Sequence, residues 1–429
     1  MSELIKKIID FDYRPKIKPS LIIPIIVLVI ANLVLLKYSN IEKSFLFYDQ
    51  IQWILIGFIL MVVFSYVRID FIFQNSYKAY GVLLFLLILT LFFGSVINNS
   101  QRWLSLGFMF QPSEIGKLLF VFFMAKFLSI PSKGRNDFIV ILITLIPALI
   151  VSFLILRQPD LGTSIVYLFI IFPMLIWSGV KVLNVLIFIS PLISFLMAFL
   201  YEFMKSDLIA LNESLFFILF SIWILFIGYT LFKRYRGHIS IYYIALIISV
   251  NLIITMLTKF FMNKINGTYW FERIVAYLDP LKYKNDFAYQ INSSYDAIGS
   301  GGFWGKGLGN GMLTEFKMMP IYESDFIVAA LAEQFGFFGI FILIVTLCYF
   351  FYWLITYLDK CLNRYEQLLI VGFASIWFFH FFINLCIVSG IFPVTGLPFP
   401  FLSYGGTHFL TNCIMLAIVN KIISLHISN

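Results

Sequence analysis

Residues 366–425 read EQLLIVGFASIWFFHFFINLCIV (366–388), SGIFPVTGLPFPFLSYGG (389–406) and THFLTNCIMLAIVNKIISL (407–425). The outer two pieces are apolar runs long enough to cross a bilayer as helices, since about 20 residues at roughly 1.5 Å per residue span the hydrocarbon. The piece between them holds three prolines and four glycines. Such a stretch can continue neither helix. Backbone that leaves a helix cannot face lipid unpaired. The connection is therefore expected to be an ordered re-entrant loop buried in protein.

The same apolar pattern fills the chain. Of 429 residues, 61% are hydrophobic and only 12% charged, with mean hydropathy +0.95. A soluble domain carries about 25% charged residues. The fold class is an all-α polytopic membrane protein, and runs of this length exclude a transmembrane β-barrel. Twelve spans are predicted, near residues 20–37, 51–67, 79–96, 112–130, 137–156, 161–179, 182–201, 213–232, 239–262, 326–355, 366–388 and 407–425. Pro191 interrupts the seventh. The first run lacks a cleavage signature and reads as a retained helix.

The net charge of +8 is unevenly distributed. A cytoplasmic N-terminus puts Lys6, Lys7, Arg14, Lys16, Lys18, Arg68, Lys78, Lys133, Arg135, Lys181, Lys233, Arg234, Arg236, Lys360, Arg364 and Lys421 on the inside. That is a positive-inside bias, with both termini cytoplasmic. Residues 1–19 form a basic tail, either laid on the anionic inner leaflet or unstructured. Residues 20–429 form one transmembrane domain. The four cysteines (Cys348, Cys361, Cys386, Cys413) lack CxxC spacing and read as buried or lipid-facing thiols. His238, His380, His408 and His426 show no metal-ligand spacing.

Residues 263–325, on the outside in this orientation, are the one long polar segment. They hold eight of the 25 glycines and thirteen of the 52 charged residues. The segment contains Glu272-Arg273, Leu278-Asp279-Pro280 and a glycine-rich run, Ala297 to Gly309. No GK[ST] follows those glycines, which argues against a nucleotide P-loop and for close-packed turns. Backbone N–H groups there and Lys306 remain able to meet a pyrophosphate. The segment ends in Ser324-Asp325, immediately before an apolar run. Spacing leaves Asp325 open as a helix cap or as a reactive carboxylate. Glu333, two turns deeper, is equally open.

Two further constellations flank outer helix ends. The first is Arg102-Trp103 followed by Gln111-Pro112-Ser113-Glu114-Ile115-Gly116-Lys117. Pro112 suits a first helical turn, and Glu114 and Lys117 share a helix face. They read as a simple ion pair or, with Arg102, as a charged cluster lining a polar cavity. The second is Arg157-Gln158-Pro159-Asp160-Leu161-Gly162-Thr163. Asp160 can cap the following helix, and Arg157 can pair with it or hold an anion.

In this order, these segments resemble the SEDS family (shape, elongation, division and sporulation proteins), from Arg102 to the C-terminus. The signature is Pro-x-x-Gly-x-Pro-x-Pro-x-x-Ser-Tyr-Gly-Gly, here with Pro398, Pro400, Ser403, Tyr404, Gly405 and Gly406, together with Ser-Asp-Phe-Ile after the glycine-rich loop. The glycine block looks like the elongation branch rather than the division branch. Glu323-Ser324-Asp325 stands where many members carry His-Thr-Asp, and Glu333-Gln334 where many carry paired glutamates. Ser105 stands where the elongation branch often has an acidic residue. The resemblance implies a core of ten helices, so an extra pair is expected between residues 182 and 262.

It further implies a peptidoglycan glycosyltransferase polymerising lipid II outside the bacterial cytoplasmic membrane, with a class B penicillin-binding protein as transpeptidase partner. Asp325 is the implied catalytic residue. Glu114, Lys117 and Arg102 are the implied charged cluster, and the donor glycan is linked to undecaprenyl pyrophosphate. A divalent cation, Mg or Mn, is a candidate cofactor, with no ligand set assigned. No nucleic-acid role is implied. A lipid II flippase, a division-type glycosyltransferase and a non-catalytic cell-wall scaffold stand as alternatives.

Overall fold

The computed structural model describes residues 7–10, 13, 16–38, 44–97, 100–105, 107–130, 137–207, 213–234, 241–265, 277, 289–311 and 322–426. Glu272-Arg273 and Leu278-Asp279-Pro280 lie outside these residues.

The helices are α1 (Pro19–Lys37), α2 (Ser44–Ser65), α3 (Ile69–Phe93), α4 (Pro112–Ser129), α5 (Asp137–Leu156), α6 (Leu161–Trp177), α7 (Val182–Asp207), α8 (Glu213–Arg234), α9 (Ile241–Ile265), α10 (Tyr289–Gly301), α11 (Ile327–Leu358), α12 (Arg364–Val388) and α13 (Gly406–His426). All but the short α10 coincide with a predicted span. Eight meet the length and hydropathy of a membrane crossing, and α6, α8 and α9 contain shorter apolar helical stretches. The twelfth, α4, carries Glu114, Lys117 and Lys126 within its 18 residues.

Helix bounds depart from the predicted ones where polar residues find partners. The third span begins at Ile69 rather than 79. Its polar first turns are satisfied internally: Asn75 Nδ2 donates to Phe71 O at 2.9 Å and Ser76 Oγ to Ile72 O at 2.7 Å. Pro191 does not break α7. A proline withdraws the N–H that would bond the carbonyl four residues back, here Ile187. Ser190 Oγ donates to that carbonyl at 2.7 Å instead.

Between α3 and α4 lies a three-stranded antiparallel sheet, β1 (Ser95–Ile97), β2 (Ser100–Ser105) and β3 (Met109–Phe110), in that order. Ser95 pairs with Trp103 and Leu104 with Phe110. It holds Arg102 beside the start of α4.

The chain divides into two compact units. The first comprises Met1–Gly134, Leu142–Ser178 and Ala276–Asn429. In it α13 packs along α2, α4 lies between α3 and α12, and α10 lies on α11. The second comprises Arg135–Ile141 and Gly179–Val275. Its α7 and α8 pack through Ile187, Ile227 and Leu231, with Ile247 of α9 against them. A polar ladder joins them: Ser194 Oγ donates to Asn251 Oδ1 at 2.7 Å and Trp223 Nε1 to Ser194 Oγ at 3.1 Å. Such interhelical bonds hold helices together where lipid gives no hydrophobic drive.

The N-terminal segment, read as a basic tail, lies partly on the first unit. Lys18 N donates to Asn420 Oδ1 at 3.0 Å, and Asn420 Nδ2 to Lys16 O at 3.1 Å. Arg68 N bonds Ile8 O at 2.9 Å.

Residues 389–405 run without helix and bury Leu397, Phe399, Phe401 and Leu402. Gly390 and Gly396 take φ of 65° and 72°, a conformation that disfavours residues with a Cβ. Phe399 packs on Phe381, ring centroids 4.7 Å apart.

Candidate functional site

The connection 389–405 is tied to the end of the polar segment by main-chain bonds. Tyr404 N donates to Glu323 O at 2.9 Å. Ser403 Oγ donates to Ser324 O and accepts from Phe399 N at 2.8 Å. Asn384 Nδ2, on α12, bridges Asp325 O and Leu397 O, each at 2.9 Å. Residues 323–325 are thus gripped from both sides, which fixes where the Asp325 side chain starts.

Asp325 does not cap α11. The N-cap is Phe326, with no side-chain hydrogen bond. The carboxylate instead accepts from Ser324 Oγ at 2.9 Å. Burial raises its pKa above the ordinary aspartate value, and the nearby Asp160 carboxylate adds to the rise. The Ser324 hydroxyl and the Arg102 guanidinium oppose it. A cap would have lowered the pKa; the burial found in its place raises it.

Asp160 does cap α6, its Oδ1 accepting from Thr163 N at 3.1 Å. Its Oδ2 accepts from Thr163 Oγ1 at 2.9 Å and Gln111 Nε2 at 3.3 Å. Its cationic neighbour is Arg102, with Nη1 3.8 Å from Oδ1. Arg157 points away, exposed, over the Phe153 ring. The re-entrant connection closes over this group. A Cβ on Gly162 would meet Thr395 O at 2.5 Å, and one on Gly396 would lie 3.6 Å from Asp325 Oδ2. Asp325, Asp160 and Arg102 therefore share one end of the first unit.

Glu114 and Lys117 do not join Arg102. They form a buried pair, 2% and 1% exposed, with N···O 2.8 Å. Gly116 between them lets α6 approach: a Cβ there would lie 2.4 Å from Tyr167 Oη. Two histidines complete the group. Lys117 Nζ is 3.0 Å from His380 Nε2, and His408 Nδ1 is 2.7 Å from Glu114 Oε2. These histidines are held by the buried ion pair, not by a metal-ligand pattern in the sequence. An ionisable group inside an apolar run, as in WFFHFF (377–382), is itself the signal.

Lys306 is committed as well. Its Nζ meets Glu333 Oε1 at 3.2 Å and its N donates to Glu333 O at 3.0 Å. The glycine-rich loop docks by backbone onto a kink in α11 at Gly336, φ 63°. Phe337 N donates to Gly302 O at 2.9 Å and Gly307 N to Gln334 O at 3.1 Å, replacing bonds that the kink removes.

These features define a multi-pass α-helical membrane protein with an ionisable centre at one end of its helices. The chain belongs to the FtsW/RodA/SpoVE family of cell cycle proteins, whose sequence profile matches residues 17–213 and 215–426. Similar curated proteins include the peptidoglycan glycosyltransferase RodA of Treponema pallidum, 27% identical, covering 97% of this chain and 98% of that protein. The peptidoglycan glycosyltransferase MrdB of Escherichia coli K12 is 26% identical, covering 95% and 93%. The probable peptidoglycan glycosyltransferase FtsW of Haemophilus ducreyi is 27% identical, covering 81% and 74%. The fold matches a chain of a peptidoglycan synthase complex with TM-score 0.67 at 22% identity, covering 96% and 99%. It also matches the rod shape determining protein RodA of Thermus thermophilus, with TM-score 0.60 at 21% identity, covering 96% and 98%.

Proposed function

We propose that the protein is a peptidoglycan glycosyltransferase that polymerises lipid II at the outer face of the bacterial cytoplasmic membrane, for wall elongation. The observation that carries this reading is Asp325: a partly buried carboxylate of raised pKa, held by its own main chain and set beside Asp160 and Arg102. A base with a pKa nearer neutrality is a better proton acceptor. The near end-to-end match to proteins named RodA supports the elongation role.

Asp325 takes the proton from the GlcNAc 4-hydroxyl of the acceptor, lipid II. That oxygen attacks the anomeric carbon of the donor's terminal MurNAc. The glycosidic bond forms as the bond to undecaprenyl pyrophosphate breaks, the pyrophosphate leaves with the electron pair, and α becomes β. Arg102, whose side chain is 28% exposed, is the cation assigned to the developing pyrophosphate charge. Lys117 and Lys306 sit closer to their carboxylates, at 2.8 and 3.2 Å, than Arg102 does to Asp160 at 3.8 Å. Among the described residues no group of three or more His, Cys, Asp or Glu side chains forms a cation cage, and no step is assigned to a divalent ion. Both termini face the cytoplasm. The transpeptidase partner is a class B penicillin-binding protein, a reading supported by the fold match to a synthase-complex chain.

The test is reconstitution of purified protein with labelled lipid II, with and without that partner. Glycan strands are the expected product. Relocation of intact lipid II without strands, or no change in lipid II when the partner is bound, overturns the proposal.

A further inference from the structure

Lys117 has its hydrogen bonds filled. Its ammonium has three N–H donors; Glu114 Oε1 and Oε2 lie at 2.8 Å and His380 Nε2 at 3.0 Å. At 1% exposure it cannot reach a substrate phosphate without abandoning a carboxylate. Its role must pass through its neighbours.

The proton positions follow from those neighbours. His380 Nδ1 faces the Pro398 carbonyl at 3.1 Å. A carbonyl only accepts, so the proton sits on Nδ1 and Nε2 accepts from Lys117. His408 Nδ1 faces a carboxylate oxygen and donates to it, 2.7 Å away. Its Nε2 is buried without a hydrogen-bond partner.

Pro398 is the middle of three consecutive gripped residues. Leu397 O accepts from Asn384, which also holds Asp325 O. Phe399 N donates to Ser403 Oγ, which also holds Ser324 O. We infer that His380 is a positioning residue that braces the re-entrant connection against the buried Lys117–Glu114 pair, and through it fixes Asp325. The inference rests on the glycosyltransferase reading of Asp325. It makes the ion pair a strut between α4, α12 and α13 rather than an anion-binding site.

Two substitutions separate bracing from simple core filling. His380→Gln keeps one donor and one acceptor, and His380→Phe keeps the ring and removes both. Lipid II turnover should fall roughly tenfold or more in the Phe variant, the scale of losing buried hydrogen bonds, with KM within about twofold. The Gln variant should retain most of the wild-type turnover. Hydrogen exchange reads the same brace without activity. The Phe399 and Tyr404 amides should exchange about tenfold faster in the Phe variant and at the wild-type rate in the Gln variant. Unchanged exchange in the folded Phe variant overturns the inference, as does equal loss of turnover in both variants. An inactive wild type overturns the glycosyltransferase reading instead and leaves the exchange comparison standing as the test of the brace.

Discussion

Asp325 carries a cost in stability that its proposed chemistry requires. Its folded pKa is raised, so its ionised form is less favourable in the folded chain than in the unfolded one. The stability associated with its neutral form is fully present below the unfolded pKa. It is lost as pH rises through the folded pKa. Asp325→Asn should therefore melt higher than wild type at pH 7, and the difference should vanish in acid. Thermal unfolding in detergent across pH checks this; an Asn variant less stable at pH 7 contradicts the burial argument. Turnover of the wild type should decline on acidification at a higher pH than an exposed carboxylate would give. The sequence marked Asp325 by its place before an apolar run, but Ser-Asp at a helix start is also the signature of a cap. Only the third dimension separates the two, because the decisive partners, Asn384 and Ser403, lie 59 and 79 residues away from the groups they hold. Arg102 was legible as a cation near Glu114 in sequence, yet the β2 strand turns it to Asp160.

Among the elements, the kinked start of α11 sets the geometry of the polar segment. Gly305, φ 81°, sits where a Cβ would lie 2.1 Å from Gln334 O, and that atom is backbone and cannot swing aside. Gly305→Ala should destabilise the docked loop by about 1–3 kcal/mol and open residues 301–307 to protease. Digestion at the wild-type rate would show that the loop is not docked through its backbone. In the second unit, Ser190→Ala should cost about 1 kcal/mol in α7, since the carbonyl freed by Pro191 loses its donor. Thermal unfolding checks this, and an unchanged midpoint would mean that α7 does not depend on that bond. Helices were the most legible level: hydropathy alone located every span. Their starts were not, because side chains such as Asn75 and Ser76 extend α3 by bonding their own turns. The sheet before α4 was illegible, its strands being too short to show alternation.

At the scale of the whole molecule, the orientation is open to direct labelling. Trp304 is 74% exposed and packs near the start of α11, while Leu362 is 90% exposed just beyond its end. The arm of α11 beyond its kink, Phe337–Leu358, is about 33 Å long at roughly 1.5 Å per residue, enough to put these positions on opposite sides of a bilayer. With the four native cysteines replaced, Trp304→Cys should react with an impermeant maleimide in intact cells. Leu362→Cys should react only after permeabilisation, and reaction of both from outside contradicts the topology. The central claim is that a membrane-embedded bundle uses one carboxylate to join sugars. The measurement that bears on it most directly is lipid II polymerisation by the purified protein with the proposed class B penicillin-binding protein partner, wild type against Asp325→Asn. The account predicts glycan strands from the wild type and a loss of about 100-fold or more from a folded Asn variant; wild-type polymerisation by Asp325→Asn would contradict it.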